Sequence, residues 1–151
     1  MEGKLTIFID MDGVLCNFKK AADSHEYSKK RGFRPDLVLD FSKFEPMPDA
    51  IDSVKKLIDM GHDVFIATTP PWSHPEAWAQ KRDWVIEHVP MLARKMFLTH
   101  RKDLLRGDIL IDDTSYRGQP KFKGTWFHFG KNGMDWKYIM ETMTTINALN
   151  K

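Results

Sequence analysis

The sequence predicts an α/β fold: a Rossmann-like three-layer α/β/α sandwich with a mainly parallel five-stranded sheet and a short helical cap insertion after the first strand. Three observations carry this reading. Short runs rich in apolar, β-branched and aromatic residues recur along the chain, and continuous runs of this kind mark strands buried on both faces, as in parallel sheets. Segments with helical periodicity separate them, the alternation that builds βα units. The 151 residues are enough for one domain and not comfortably for two, and a domain of this size buries roughly 70% of its chain surface without staples.

The first strand is Leu5–Ile9, ending at Asp10. It is too short and too early for a signal peptide. Residues 16–45 are rich in Lys, Asp, Ser and scattered aromatics, with a weakly helical stretch near 16–31 and a tail broken by Gly32 and Pro35. They read as the insertion, which leaves residues 1–15 and 46–151 as the core of a single domain. Pro48 to Met60 carries Ile51, Val54, Leu57 and Ile58 on one helical stripe, with Gly61 as the stop. Val64–Ala67 is the second strand, followed by a loop with Pro70 and Pro71. Pro75, at a first helical position, opens a helix to His88. Met96–Leu98, Ile109–Ile111 and Trp126–Phe129 supply the remaining strands, and a last helix spans Met134 to Ala148.

Composition excludes several classes. Apolar residues are 42% and charged residues 29%, neither a disordered chain nor a membrane span. A net charge of +2 gives no electrostatic footprint for a nucleic-acid polymer or a membrane surface. Cys16, the one cysteine, forms no intramolecular disulfide and fits a reducing compartment, so a cytoplasmic location is expected.

Chemistry enters through the strand ends. Asp10 and Asp12, Thr68 and Thr69, His100 to Lys102, and Asp112 and Asp113 each follow a strand on its carboxyl side, the edge where open α/β sheets bind ligands. Singly, each has a plain alternative. An Asp after a strand often caps a turn, and a lone Thr or Lys is often a cap or a solvated charge. Together, carboxylates converging on one edge need a cation between them. Mg2+ suits such a site because it takes one or two carboxylates plus water and phosphate oxygens. Lys102 and the Thr hydroxyls supply what a phosphate group needs, and a carboxylate nucleophile beside a second carboxyl group completes a phosphoryl-transfer site.

The ordered set resembles the haloacid dehalogenase-like phosphatases. "FIDMDGVL" (8–15) is similar to their first signature, "VFIATTP" (64–70) to the second, Lys102 to the third and "ILIDDT" (109–114) to the fourth. Within that superfamily, "DMDGVLCNF" (10–18), "FEPMPDAIDSVKKL" (44–57), "AWAQKRDWVIEHV" (77–89) and "LTHRKDLLRGDILIDD" (98–113) resemble the 5'(3')-deoxyribonucleotidases of cytosolic and mitochondrial type. The resemblance implies Asp10 as nucleophile, forming an aspartyl-phosphate, and Asp12 as general acid and then base. It implies Mg2+ held by Asp10, the backbone carbonyl of Asp12 and Asp112, with Asp113 behind, orienting a metal-bound water or Lys102. Thr68 and Lys102 would bind the phosphate, joined by Thr69 and Lys81. Phe18 aligns with an aromatic that stacks on the nucleobase.

Trp72, in the loop beside the presumed site, is a second candidate for substrate contact, whereas Trp78 and Trp84 read as helix residues packed in the core. The insertion is shorter than in the animal nucleotidases and Pro71 stands where an aliphatic residue lines their base pocket. The expected activity is hydrolysis of (deoxy)ribonucleoside monophosphates, or of another small phosphate ester by the same chemistry. A homodimer whose partner subunit closes the site is compatible with so short a cap. A phosphorylatable receiver is disfavoured, because here the second acidic pair follows the Lys. A binding module on an inactive phosphatase fold is disfavoured because all four signatures are kept.

Overall fold

A computed structural model describes residues 3–150. Five strands, β1 (Thr6–Ile9), β2 (Asp63–Thr68), β3 (Met96–Leu98), β4 (Ile109–Asp112) and β5 (Thr125–His128), form one sheet in the order β3-β2-β1-β4-β5. Every pairing is parallel, so all five carboxyl ends lie along one edge. The register sets Ile9 opposite Ile66 on one side and Ile111 on the other. Asp10, one residue on, donates its N–H to the Ile111 carbonyl at 2.9 Å. The Asp-x-Asp segment thus begins at the centre of the edge, flanked by the ends of β2 and β4.

Alternation along the strands divides the core. Ile7, Ile9, Val64, Ile66, Ile109 and Ile111 join the buried side chains of three helices: α3 (Ala50–Asp59), α4 (Pro75–His88) and α5 (Trp136–Leu149). Burying a Leu57 or Ile139 there contributes about 1.5–3 kcal/mol. Phe8, Ala67 and Leu110 point to the other face, where Phe122 and the half-buried Leu105 and Trp126 cover them. The β3–β4 and β4–β5 connections carry only 3-10 turns, at Lys102–Leu104 and Gln119–Lys121. The layer on that face is therefore thin, and Phe97 stays partly exposed against Phe8 and Phe65.

The segment after β1 carries α1 (Phe18–Ser24) and the single turn α2 (Pro35–Val38). Asn17 caps α1 by accepting the Lys20 N–H at 3.1 Å. The weakly helical pattern continues to residue 31, but the helix stops at Ser24 and turns follow, with His25 stacked on Phe33 at 5.0 Å. Backbone bonds join the two ends of the segment, from the Asn17 N–H to Glu45 and from the Met47 N–H to Leu15. Its later half is fastened to α4: the Phe41 N–H donates to Gln80 Oε1 at 3.0 Å and Trp84 Nε1 donates to the Phe44 carbonyl at 2.8 Å. Phe41 and Phe44 are buried against α4, and Tyr27 is exposed.

Helix α3 begins two residues later than its apolar stripe suggests, because Asp49 adopts a left-handed conformation (φ 66°) and gives no side-chain cap. Trp84 is fully buried as expected. Trp78 is not a core residue: it lies half-buried at the surface, its Nε1 donating to the Pro71 carbonyl and its ring against Trp72 and His100. Its position on α4 faces the double-proline loop, not the sheet. Among the described residues no helix is long and apolar enough to cross a membrane.

Candidate active site

The loop leaving β1 is built by one carbonyl. Met11 accepts from the N–H groups of Val14, Leu15 and Cys16 at 3.1, 2.8 and 3.0 Å, curling the chain so that Asp10 and Asp12 both face the edge. Gly13 completes the curl at φ +83°, where a Cβ would stand 2.1 Å from Asp113 Oδ2. Only glycine meets both demands, for backbone conformation and for space.

Two buried lysines serve the two aspartates. Lys102 Nζ reaches Asp10 Oδ1 at 3.0 Å and also bonds Asp112 Oδ2. Burial disfavours the Lys102 ammonium, but Asp10 and Asp112 outweigh it, and the net shift is upward from the ordinary lysine value. Lys81, fully buried on α4, donates to Asp12 Oδ2 at 2.8 Å and to Thr68 Oγ1 at 2.9 Å, with its ammonium 4.8 Å from the Phe41 ring centre. The other Asp12 oxygen, Oδ1, accepts from Cys16 Sγ at 3.3 Å. Burial, and next the Asp12 charge, hold that thiol well above its ordinary value, so it is a donor and not a nucleophile.

Asp10, Asp112 and Asp113 each present a carboxylate oxygen within 4.8 Å of the others. Burial first, and then the charge of Asp10, push Asp112 up to about 6 and Asp113 up to about 8. Asp113 Oδ1 is buried and has no hydrogen-bond partner among the described residues. Crowded carboxylates and one orphaned oxygen are the donor set that suits a hard divalent cation.

Part of this cluster forms the floor of a cavity of about 740 Å3, whose wall includes Asp10, Asp12, Lys102, Asp113 and Thr69. Phe18 and Phe41 line the side formed by the inserted segment, and Trp72 and His100 line the other. Phe18 sits against Phe41 and Phe44, at 6.1 and 5.7 Å between ring centres. Trp72 is 78% exposed and meets His100 edge-on at 5.9 Å. Thr69 Oγ1 donates to the Thr99 carbonyl at 2.6 Å. Thr68, Lys81 and Asp112 are fully buried and lie outside the cavity wall. The structure thus gathers the predicted catalytic, phosphate and metal residues at one edge in two ranks, with Phe18 and Trp72 on the cavity sides. Asp10, Asp12, Thr69, Lys102 and Asp113 front the cavity, while Thr68, Lys81 and Asp112 stand behind them. Asp113 is therefore not behind the other carboxylates as expected: Asp112, still on β4, is the one enclosed.

Sequence reasoning missed Cys16, Thr114 and Gln119, and it named His100 only as a strand-end residue. Only Thr114 carried a signal, as the residue after the second acidic pair. Its N–H donates to Asp112 Oδ1 at 3.1 Å.

An all-parallel sheet with a carboxylate-rich carboxyl edge, an Asp-x-Asp turn on its central strand and a buried lysine behind it defines the haloacid dehalogenase-like hydrolases. Residues 24–132 match the family model described as 5' nucleotidase, deoxy (pyrimidine), cytosolic type C protein. A Vibrio phage KVP40 protein with the name "Putative 5'(3')-deoxyribonucleotidase" is 32% identical over 149 residues, covering 95% of this chain and 87% of the relative. The human cytosolic-type 5'(3')-deoxyribonucleotidase is 30% identical over 161 residues, covering 85% of this chain and 80% of the relative. The chain belongs to this 5'(3')-deoxyribonucleotidase family, within the haloacid dehalogenase superfamily, and is a phosphoric monoester hydrolase.

Proposed function

We propose that the protein hydrolyses (deoxy)ribonucleoside monophosphates to nucleoside and phosphate with Mg2+ as cofactor, through an aspartyl-phosphate on Asp10. The observation that carries this reading is the paired arrangement at the cavity floor. Two carboxylates two residues apart are held by different lysines, Asp10 by Lys102 and Asp12 by Lys81. Their roles separate accordingly. An Asp10 oxygen attacks phosphorus as the ester P–O bond breaks, and Asp12 delivers its proton to the departing nucleoside oxygen. Asp12 then takes a proton from the water that attacks the aspartyl-phosphate, the P–O bond to Asp10 breaks, and phosphate leaves.

Lys102, at the floor, stabilises charge on the phosphoryl oxygens, and Thr69 at the wall would donate to them when its hydroxyl turns from the Thr99 carbonyl. Lys81 and Thr68, lying behind, act through Asp12 and through each other. Asp10, Asp112 and the backbone carbonyl of Asp12 would hold Mg2+, and the orphaned oxygen of Asp113, which stands at the cavity wall beside them, supports this assignment. When bound, the ion offsets the charge of carboxylates and phosphate together.

Residues 16–45 act as the cap. Phe18 on the cap side and Trp72 opposite provide apolar faces for a planar base, in a cavity of the size that takes a small ligand. A family of relatives named for deoxyribonucleotides supports the substrate class. The test is phosphate release from a panel of nucleoside monophosphates and sugar phosphates, with and without Mg2+. The expected result is Mg2+-dependent preference for nucleotides. Sugar phosphates turned over equally well would overturn the substrate assignment and leave only the chemistry.

A further inference from the structure

Gln119 opens the 3-10 turn before β5 and is fully buried, yet it belongs to neither the apolar core nor the cavity wall. A buried primary amide must have its donors and acceptor satisfied, at about 1–3 kcal/mol for each group left without a partner. Gln119 Oε1 accepts the Arg117 N–H at 2.8 Å, and Nε2 donates to Thr114 Oγ1 at 3.0 Å. That second bond fixes the direction of the Thr114 hydroxyl. With its oxygen accepting from Gln119, its hydrogen is free for Asp112 Oδ1, 3.4 Å away, which also accepts the Thr114 N–H.

The same loop holds the other partner of Asp112. The Arg117 carbonyl accepts the Lys102 N–H at 2.8 Å, and Lys102 Nζ bonds Asp112 Oδ2. At Gly118 (φ +95°) a Cβ would stand 2.8 Å from the Asp103 backbone nitrogen, so the loop is pressed directly onto the turn that carries Lys102. One buried side chain thus organises both the carboxylate and the lysine that meets it.

We propose that Gln119 and Thr114 are positioning residues for Asp112. Gln119 orients the Thr114 hydroxyl, and Thr114 locks the Asp112 carboxylate in the rotamer that faces the cation site. The proposal rests on the reading of Asp10 and Asp112 as metal ligands. Partners of this kind, one step behind a ligand, typically change metal affinity 10–100-fold when removed.

The experiment measures Mg2+ affinity of the whole protein from the rise of its thermal midpoint with Mg2+ concentration, without turnover. Thr114→Val, which keeps the backbone N–H and the side-chain shape, and Gln119→Leu should each weaken Mg2+ binding about 10-fold. The double variant should be no weaker than the worse single one, because both changes cut one chain of bonds. Thr114→Ser, retaining the hydroxyl, should bind Mg2+ as the parent does. A purely structural staple would lower the Mg2+-free midpoint and leave the affinity unchanged. That result, or losses that multiply in the double variant, overturns the proposal. If Gln119→Leu does not fold, the Thr114→Val and Thr114→Ser comparison still decides it. Asp112→Asn separates the two levels. Unchanged Mg2+ affinity in that variant removes the metal-site reading and this proposal with it. Lost affinity there, with parental affinity in both positioning variants, removes this proposal alone.

Discussion

Lys81→Met isolates the contribution of the lysine behind Asp12. Methionine fills most of the stem volume, so the change removes the ammonium and little packing. Two hydrogen bonds disappear, to Asp12 at 2.8 Å and to Thr68 at 2.9 Å. Breaking a fully buried ion pair costs about 3–5 kcal/mol because a bare charge remains. Here the Asp12 side chain is 27% exposed and rehydrates in part, so the expected loss of stability is smaller, about 1–3 kcal/mol. Catalysis should suffer more selectively. With Asp12 unheld, proton delivery to the leaving group loses about 10²–10⁴-fold, the range of positioned acid catalysis. A nucleoside alkoxide needs that proton, whereas p-nitrophenolate leaves without it. Urea unfolding measures the first quantity, and kcat/KM for a nucleoside monophosphate against p-nitrophenyl phosphate measures the second. The nucleotide rate should fall far more than the aryl phosphate rate. Equal losses on both substrates would refute the reasoning, since Lys81 would then act on the phosphate and not through Asp12.

Other expectations follow from the same geometry. Gly13→Ala places a methyl group 2.1 Å from Asp113 Oδ2 at a φ of +83°, so stability should fall by more than about 1 kcal/mol and Mg2+ affinity should fall with it. Chemical denaturation and Mg2+ titration check the two effects. Trp72→Ala removes an exposed ring at the cavity rim and should raise KM for nucleotides about tenfold, the worth of one stacked base, with kcat and the rate on p-nitrophenyl phosphate unchanged in steady-state assays. His62 is buried with Nδ1 accepting the Leu5 N–H at 3.2 Å, and burial lowers its pKa. The neutral ring is the folded form, so its stabilisation is complete above the ordinary imidazole value and is lost as pH falls through the lower folded value. His62→Gln keeps an acceptor without a titrating ring. Its thermal midpoint should therefore decline less than the parent's between about pH 7 and pH 5.

The parallel sheet was legible because its strands are short apolar or aromatic runs, four of them with polar residues at the carboxyl end. Helix α4 was legible to its bounds, Pro75 to His88, because a proline at its first turn sets its start. The inserted segment was harder to read. The helical pattern near 16–31 ends early at Ser24, and the later half takes its shape from Gln80 and Trp84 of α4, some 40 residues away. The site residues were visible as types at strand ends, but their ranks were not. Lys81 looks like any helix lysine until the fold brings Asp12, 69 residues distant, to its ammonium. Trp78 shares a helix with Trp84 but turns toward the proline loop, which periodicity alone did not distinguish. Gln119 gave no sequence signal because its importance lies in burial, which only the packed loop creates.

The central claim is that Asp10 carries the phosphoryl group. Rapid acid quenching during turnover of a nucleoside monophosphate, followed by peptide mass analysis, tests it most directly. The account predicts one added phosphoryl group on the peptide containing Asp10, absent in a folded and inactive Asp10→Asn variant. An Asp10→Asn protein that still turns over nucleotides with Mg2+, or a phosphoryl group found on another residue, would contradict it.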